Sequence, residues 1–261
     1  MADFEISCGD ALSFLRELPD ESVDAIVTDP PYCSGASREA GRGRAKEQGS
    51  IGVRRGTVEW FTGDNMTTPG LVWLLRSVAF EAARVLRDGH SLVVFCDWRM
   101  WANLAPALES AGLKLQNMIV WDKGHAALGT GFRCQHELAI HLCKGTTGRF
   151  YSVRGSNVIG AKRVTQRKRE HATQKPVELL RELLEVVSPP DGFVVDPFMG
   201  SGSTGVAALE LGRNFLGCDR AAAYVEVARR RLERAAQGLE DAPPTAEELA
   251  ALEAAGEELS A

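Results

Sequence analysis

Short apolar runs alternate along the chain with longer stretches in which apolar residues recur every three or four positions. The runs predict strands at Phe4–Ser7, Ala25–Thr28, Ser91–Cys96, Met118–Trp121, Glu137–Leu142, Phe193–Val195 and Asn214–Gly217. The longer periodicity predicts helices at Leu71–Arg87, Trp101–Ala111, Val177–Val187, Ser203–Leu211 and Ala221–Ala236. In the first helix, Leu71, Leu74, Leu75, Val78, Ala82, Val85 and Leu86 form one stripe. Pro176 suits the first turn of the helix from Val177, because its missing N–H has no partner to lose there. This alternation of strand and helix predicts an α/β fold with a mostly parallel sheet covered on both faces. Two segments, 33–62 and 145–172, lack either period and are rich in Gly, Arg and Lys. Loops that long inside a compact domain are usually functional or disordered.

Two strand ends carry unusual punctuation. IVTDPPYCSG runs from an apolar strand into Asp29, Pro30, Pro31 and Tyr32. Neither proline can donate to a ladder, so the strand stops and Asp29 and Tyr32 are held on a stiff turn. Near the C-terminus, FVVDPFMGSGSTG places Asp196 and Pro197 between a strand and the turn Gly200-Ser201-Gly202-Ser203-Thr204-Gly205. That turn matches G-x-G-x-x-G in its strand–turn–helix context, and Asp219 ends the next strand, where a carboxylate suits ribose hydroxyls. A nucleoside-containing ligand follows from the pattern. A nicotinamide dehydrogenase fits less well: only one more helix and an acidic tail follow Asp219, so the sheet must be completed from the N-terminus. An acid at Asp196 also suits a cationic ligand better than a pyrophosphate. A P-loop is excluded because no Lys follows the glycines.

Composition changes the picture only in part. The chain has 261 residues, 44% hydrophobic and 25% charged, as expected of one globular domain. No apolar run approaches the roughly 18 residues of a membrane span, and MADFEISCGD has no signal-like apolar core. The cysteines at 8, 33, 96, 134, 143 and 218 form no C-x-x-C pair, and His136 and His141 have no companion ligands. The expectation is a cytoplasmic protein with reduced thiols, no metal and no membrane contact.

The net charge is −5, but residues 238–261 hold seven acids and no base. Without that tail the body has 30 basic against 28 acidic residues. Residues 144–175 carry nine Lys or Arg against Glu170 alone, and 33–60 carry six against three acids. Two basic segments on a near-neutral body point to a polyanion partner. The expected organisation is one domain over 1–237 and an acidic, disordered or loosely helical tail over 238–261.

Taken together, Asp29-Pro30-Pro31-Tyr32 and, about 165 residues later, Asp196-Pro197-Phe198-Met199-Gly200-Ser201-Gly202 closely resemble the amino-methylating DNA methyltransferases. The motif order, catalytic first and cofactor last, matches their permuted β class. VWDKG at 120–124, HELAIHLCKG at 136–145 and TQKPVEL at 173–179 extend the likeness over residues 4–236. The resemblance implies a circularly permuted, Rossmann-like class I methyltransferase fold with a seven-stranded sheet. It implies S-adenosylmethionine (SAM) held across the carboxyl ends of the strands by Asp196, Pro197, Phe198, Gly200, Ser201, Gly202, Asp219, Asp10 and Thr173-Gln174-Lys175. Asp219 stands where the family usually has Glu.

The same resemblance assigns Asp29, Pro30, Pro31 and Tyr32 to the transfer itself. An exocyclic amino nitrogen is a poor nucleophile because its lone pair is delocalised into the ring. The Asp29 carboxylate and the Pro30 carbonyl would each accept an amino hydrogen and stabilise the charge that develops. Pro30 and Pro31 keep the turn rigid, and Tyr32 offers a ring face to a flipped base. Segment 145–172 occupies the target-recognition position. The expected contacts to double-stranded DNA are Arg149, Arg154, Lys162, Arg163, Arg167, Lys168 and Arg169, with Arg42, Arg44, Arg54 and Arg55 in the loop after Tyr32. Adenine N6 is favoured over cytosine N4, whose enzymes more often carry Ser at the Asp29 position. The other readings are an RNA or protein methyltransferase and a non-enzymatic DNA-binding module. A homodimer is compatible with the family.

Overall fold

The computed structural model describes residues 2–31, 67–126, 130–162, 174–241 and 245. Within these residues eight strands form one sheet: β1 (Phe4–Cys8), β2 (Val23–Thr28), β3 (Leu86–Cys96), β4 (Leu113–Asp122), β5 (His136–Lys144), β6 (Val158–Gly160), β7 (Phe193–Asp196) and β8 (Asn214–Asp219). Their order is β1-β8-β7-β2-β3-β5-β4-β6. The pairings from β1 through β3 are parallel, as is β4 with β6, whereas β5 runs antiparallel to both β3 and β4. The mostly parallel α/β fold is as expected, with eight strands rather than seven. The additional β6 lies inside the segment that shows no periodicity. It has three residues, of which only Ile159 is buried, too few for an alternating pattern to register.

Among the described residues six helices cover the sheet: α1 (Ala11–Glu17), α2 (Thr68–Val85), α3 (Trp101–Glu109), α4 (Val177–Val187), α5 (Ser203–Glu210) and α6 (Ala222–Ala236). Side chains alternate along a strand, so each strand feeds both layers. On β3, Val93 and Phe95 pack into the layer of α4, α5 and α6, while Leu92, Val94 and Cys96 pack into the layer of α1, α2 and α3. Central β2, VDAIVT, is buried at every position, which is why it reads as a continuous apolar run around Asp24. In α4, Leu179, Leu180, Leu183, Leu184 and Val187 are the buried stripe, and Pro176 is the N-cap with an extended backbone.

The topology brings distant residues to one edge. Because β1, β8, β7, β2 and β3 are parallel, their carboxyl ends lie together, and ligands in open α/β sheets bind outside that edge. β1 ends before Asp10, β8 at Asp219, β7 at Asp196 and β2 before Asp29. Four carboxylates spread over 210 residues therefore cap four neighbouring strands. Antiparallel β5 begins at this edge, so His136 and Glu137 join it, as do Asp122 and Lys123 at the end of β4.

Candidate active site

Each of the four carboxylates is held differently. Asp10 caps α1: Leu12 N and Ser13 N donate to its Oδ1 at 3.1 and 3.0 Å, and the residue is exposed. Asp219 accepts from Gly200 N and Ala221 N, each at 2.9 Å, and so ties the glycine turn to the end of β8. Burial pushes its carboxyl up, against the pull of those N–H groups. Each oxygen has a second lone pair, so Asp219 keeps acceptor capacity.

Asp196 is only 2% exposed and its carboxylate points inward. Oδ1 accepts from Thr28 Oγ1 at 2.7 Å and Phe198 N at 3.1 Å, and Oδ2 accepts from Thr204 Oγ1 at 2.7 Å. Burial, and then the nearby charge of Asp29, raise its carboxyl to about 7, against the lowering effect of these donors. A carboxylate turned outward to a cationic ligand, as the sequence predicts, is therefore not what Asp196 presents. It braces the end of β2 against the glycine turn.

That turn is shaped by packing from behind. Gly200 and Gly202 have φ of +50° and +79°, in the region that favours glycine. A Cβ on Gly202 would lie 2.9 Å from Ala228 Cβ of α6, and one on Gly205 would lie 2.6 Å from Leu232 and Phe215. From α6 the fully buried Arg231 donates to Ser201 O at 2.6 Å and Ser203 Oγ at 3.1 Å, and also to Asp241 Oδ1 at 2.9 Å. Ser201 is buried against this guanidinium, while Phe198 and Gly200 are half-buried.

Asp29, half-buried beyond Thr28, forms an ion pair with Lys175. Lys175 is 5% exposed and also faces Glu137 Oε2 at 3.3 Å, while Glu137 Oε1 pairs with Lys123. The Lys175 ammonium lies 5.0 Å from the ring centre of Phe95 and 6.0 Å from that of Trp121. Burial alone would lower the Lys175 ammonium, but Asp29 and Glu137 outweigh it and hold it above the ordinary value. Burial alone would likewise raise Glu137, and the charges of Lys175 and Lys123 hold it below the ordinary carboxylate range. Lys175 is thus engaged with the Asp29 and Glu137 carboxylates.

Glu137 and Lys123 are absent from the residues assigned from sequence, although both lie in the stretches HELAIHLCKG and VWDKG. The available signal was a charge at the end of an apolar strand, the same signal that exposes Asp29. Pro30 is buried beside Asp29, and Pro31 is half-buried. Gln174, also half-buried, precedes Lys175 at the same edge. Tyr32, Thr173, Arg42, Arg44, Arg54, Arg55, Arg163, Arg167, Lys168 and Arg169 lie outside the described residues, as does nearly all of the acidic tail.

The described arginines of segment 145–172 are not at this edge. Arg149 N donates to Gly89 O at 2.8 Å, near the start of β3. Its neighbour Tyr151 N donates to Val186 O at the far end of α4, and a Cβ on Gly155 would lie 2.5 Å from Val186. Arg149 and Arg154 therefore flank the opposite edge, roughly 20 Å away at about 3.3 Å per strand residue. The segment must return through β6 before Lys162, which follows Ala161 N bound to Asp122 O at 3.1 Å, reaches the carboxyl edge. Among the described residues no His, Cys, Asp or Glu cluster suits a metal ion, and no helix is long and apolar enough to cross a membrane.

A doubly wound sheet with an Asp-Pro-Pro turn and a glycine turn at adjacent strand ends defines a methyltransferase-type site. The chain belongs to the DNA methylase family of N6- and N4-amino-methyltransferases, whose family model matches residues 23–230. It is 31% identical to YubD of Escherichia coli (strain K12) over 224 residues, 86% of this chain and 88% of that protein. The solved M1.HpyAVI–SAM complex superposes with a TM-score of 0.65 at 24% identity, covering 88% of this chain and 98% of that one. The cytosine-N4-specific PvuII DNA methyltransferase gives a TM-score of 0.68 at 16% identity, covering 99% and 93%. At these identities the two structures establish the shared fold.

Proposed function

We propose that this chain transfers the methyl group of SAM to the N6 amino group of an adenine flipped out of duplex DNA. The observation that carries the reading is the placement of Asp29 and Pro30 at the end of β2, beside the glycine turn and within one row of strand ends that includes Asp10 and Asp219. The residues fit the cofactor chemically. Asp10 and Asp219 offer acceptors for the amino and hydroxyl donors of a nucleoside, and the acidic edge suits a sulfonium and an ammonium group. When bound, SAM supplies an electrophilic methyl group.

This chain's own residues prepare the nucleophile. Asp29 and the Pro30 carbonyl accept the two amino hydrogens, which draws the nitrogen lone pair out of the ring and stabilises positive charge as it forms. Pro30 and Pro31 keep these acceptors at a fixed separation. Once the nitrogen is cationic it releases its proton readily, so no strong base is required. The Asp at position 29, where cytosine-N4 enzymes more often have Ser, favours adenine.

The test is methyl transfer from labelled SAM to mixed-sequence duplex DNA, followed by nucleoside analysis. Label on N6-methyladenine is expected. Label on N4-methylcytosine would keep the mechanism and overturn the base. Label only on RNA or protein would overturn the DNA reading.

A further inference from the structure

Glu137 has no role in the mechanism above, yet it is built into the same charge cluster. Its Oε1 pairs with Lys123, while Oε2 is buried and its contact is the longer arm of the Lys175 ion pair, at 3.3 Å from Nζ. The shorter arm rests on Asp29. One ammonium is therefore shared between two carboxylates and lies nearer to Asp29 than to Glu137.

Resting on the methyl-transfer reading, we infer that Glu137 is a positioning residue that acts through Lys175: it receives the ammonium from Asp29 when the amino group of the target base enters. An ammonium and an amino hydrogen compete for the same carboxylate lone pairs, and the ammonium also drains charge from the acceptor. Lys175 is walled in by Phe95 and Trp121 and cannot retire into water, because it is 5% exposed. Glu137 gives it a second anchor. The set of Asp29, Glu137, Lys175 and Lys123 holds two carboxylates and two ammoniums, so the shift changes no net charge within the site. Lys123 keeps Glu137 in place by its own ion pair and lies 5.0 Å from the Trp121 ring centre. Without the Glu137 charge, Lys175 would remain on Asp29 and blunt it.

Among the described residues, three further groups face the cluster. Asp196 touches Thr28 behind Asp29 and titrates near 7. Cys96 is pushed up to about 12 by burial and then by Asp97, Asp29 and Glu137, so it stays a neutral thiol. Asp97 follows Cys96 and is paired with Arg99 at 2.7 Å. All three are common to every variant, so differences between variants report on Glu137 and Lys175.

The experiment compares pH profiles of kcat for DNA methylation by the full chain and by Glu137→Gln, Glu137→Asp and Lys175→Gln, with SAM affinity measured in parallel. Glu137→Gln removes a negative charge near Asp29 and leaves Lys175 locked on it, so its acid limb moves to lower pH while the plateau kcat falls about tenfold. Lys175→Gln removes the positive charge, so its acid limb moves to higher pH. Glu137→Asp, which keeps the charge but draws it back, shifts the same way as Glu137→Gln by a smaller amount and carries the test should Glu137→Gln not fold. SAM affinity stays within about twofold throughout the Glu137 variants. Limbs that move in one direction in all variants, or an unchanged kcat in both Glu137 variants, would overturn the positioning role while wild-type methylation stands. Absence of methylation by the wild type would overturn the underlying reading and this inference with it.

Discussion

Thr28 Oγ1 donates to Asp196 Oδ1 at 2.7 Å across 168 residues of sequence. Thr28 is the last residue before Asp29, and Asp196 is the first of the glycine-turn motif. One buried hydrogen bond thus ties the turn proposed to grip the amino group to the turn expected to hold the methyl donor. Thr204 Oγ1 and Phe198 N also donate to the same carboxylate, so both turns are tied to one side chain.

This carboxylate makes folding sensitive to pH. Its folded value, about 7, is raised above the unfolded one by burial. The folded state therefore keeps a proton that the unfolded state has already lost. Its contribution is fully present below about pH 4 and is lost as pH rises to about 7. In urea titrations, the advantage of wild type over Asp196→Asn should shrink steadily across that window. A constant difference would contradict the assignment.

Arg231 is the brace from α6. Replacing it with Ala leaves buried Ser201 O and Ser203 Oγ without their shared donor, and Asp241 without its ion pair. Arg231→Ala should lower stability by about 1–3 kcal/mol and weaken SAM binding. Asp241→Asn should do less, because the Asp241 side chain is 29% exposed and the contacts to Ser201 and Ser203 survive. Thermal melts and calorimetric titration with SAM check both.

The basic residues of segment 145–172 divide by location. Arg149→Ala and Arg154→Ala, near the edge opposite the site, should leave DNA affinity and its salt dependence unchanged. Lys162→Ala, at the carboxyl edge, should weaken binding uniformly across sequences and reduce the log–log salt slope by about 1. Binding isotherms at several salt concentrations separate the two groups.

The pattern along the chain made the frame legible. Strong apolar runs became β2, β3, β5 and β7, and the stripe in α4 appears with the bounds Val177–Val187. The transition from α2 to β3 was misjudged because Leu86 continues the helical stripe, yet it caps α2 and opens the strand. Helix α1 has only seven residues, and its clearest sign, the cap by Asp10, reads equally as a ligand-binding acid. At the site, Asp29, Asp196 and Asp219 were legible as acids that interrupt apolar runs. The direction in which each carboxylate points was not, because it depends on Thr28, Thr204 and Gly200, which only the sheet order brings near. The same holds for Lys175 and Glu137, joined through strands that are distant in sequence. The position of Arg149 at the opposite edge was not legible, because charge counting along the chain carries no information about which sheet edge a loop crosses.

The most direct measurement sets wild type beside Asp29→Ala, each with labelled SAM and duplex DNA, with SAM binding determined separately. The account predicts N6-methyladenine from the wild type, a loss of at least about 100-fold in the variant, and SAM affinity that is nearly equal in both. Undiminished turnover by Asp29→Ala, or a wild type that binds SAM and labels no amino group in DNA, would contradict it.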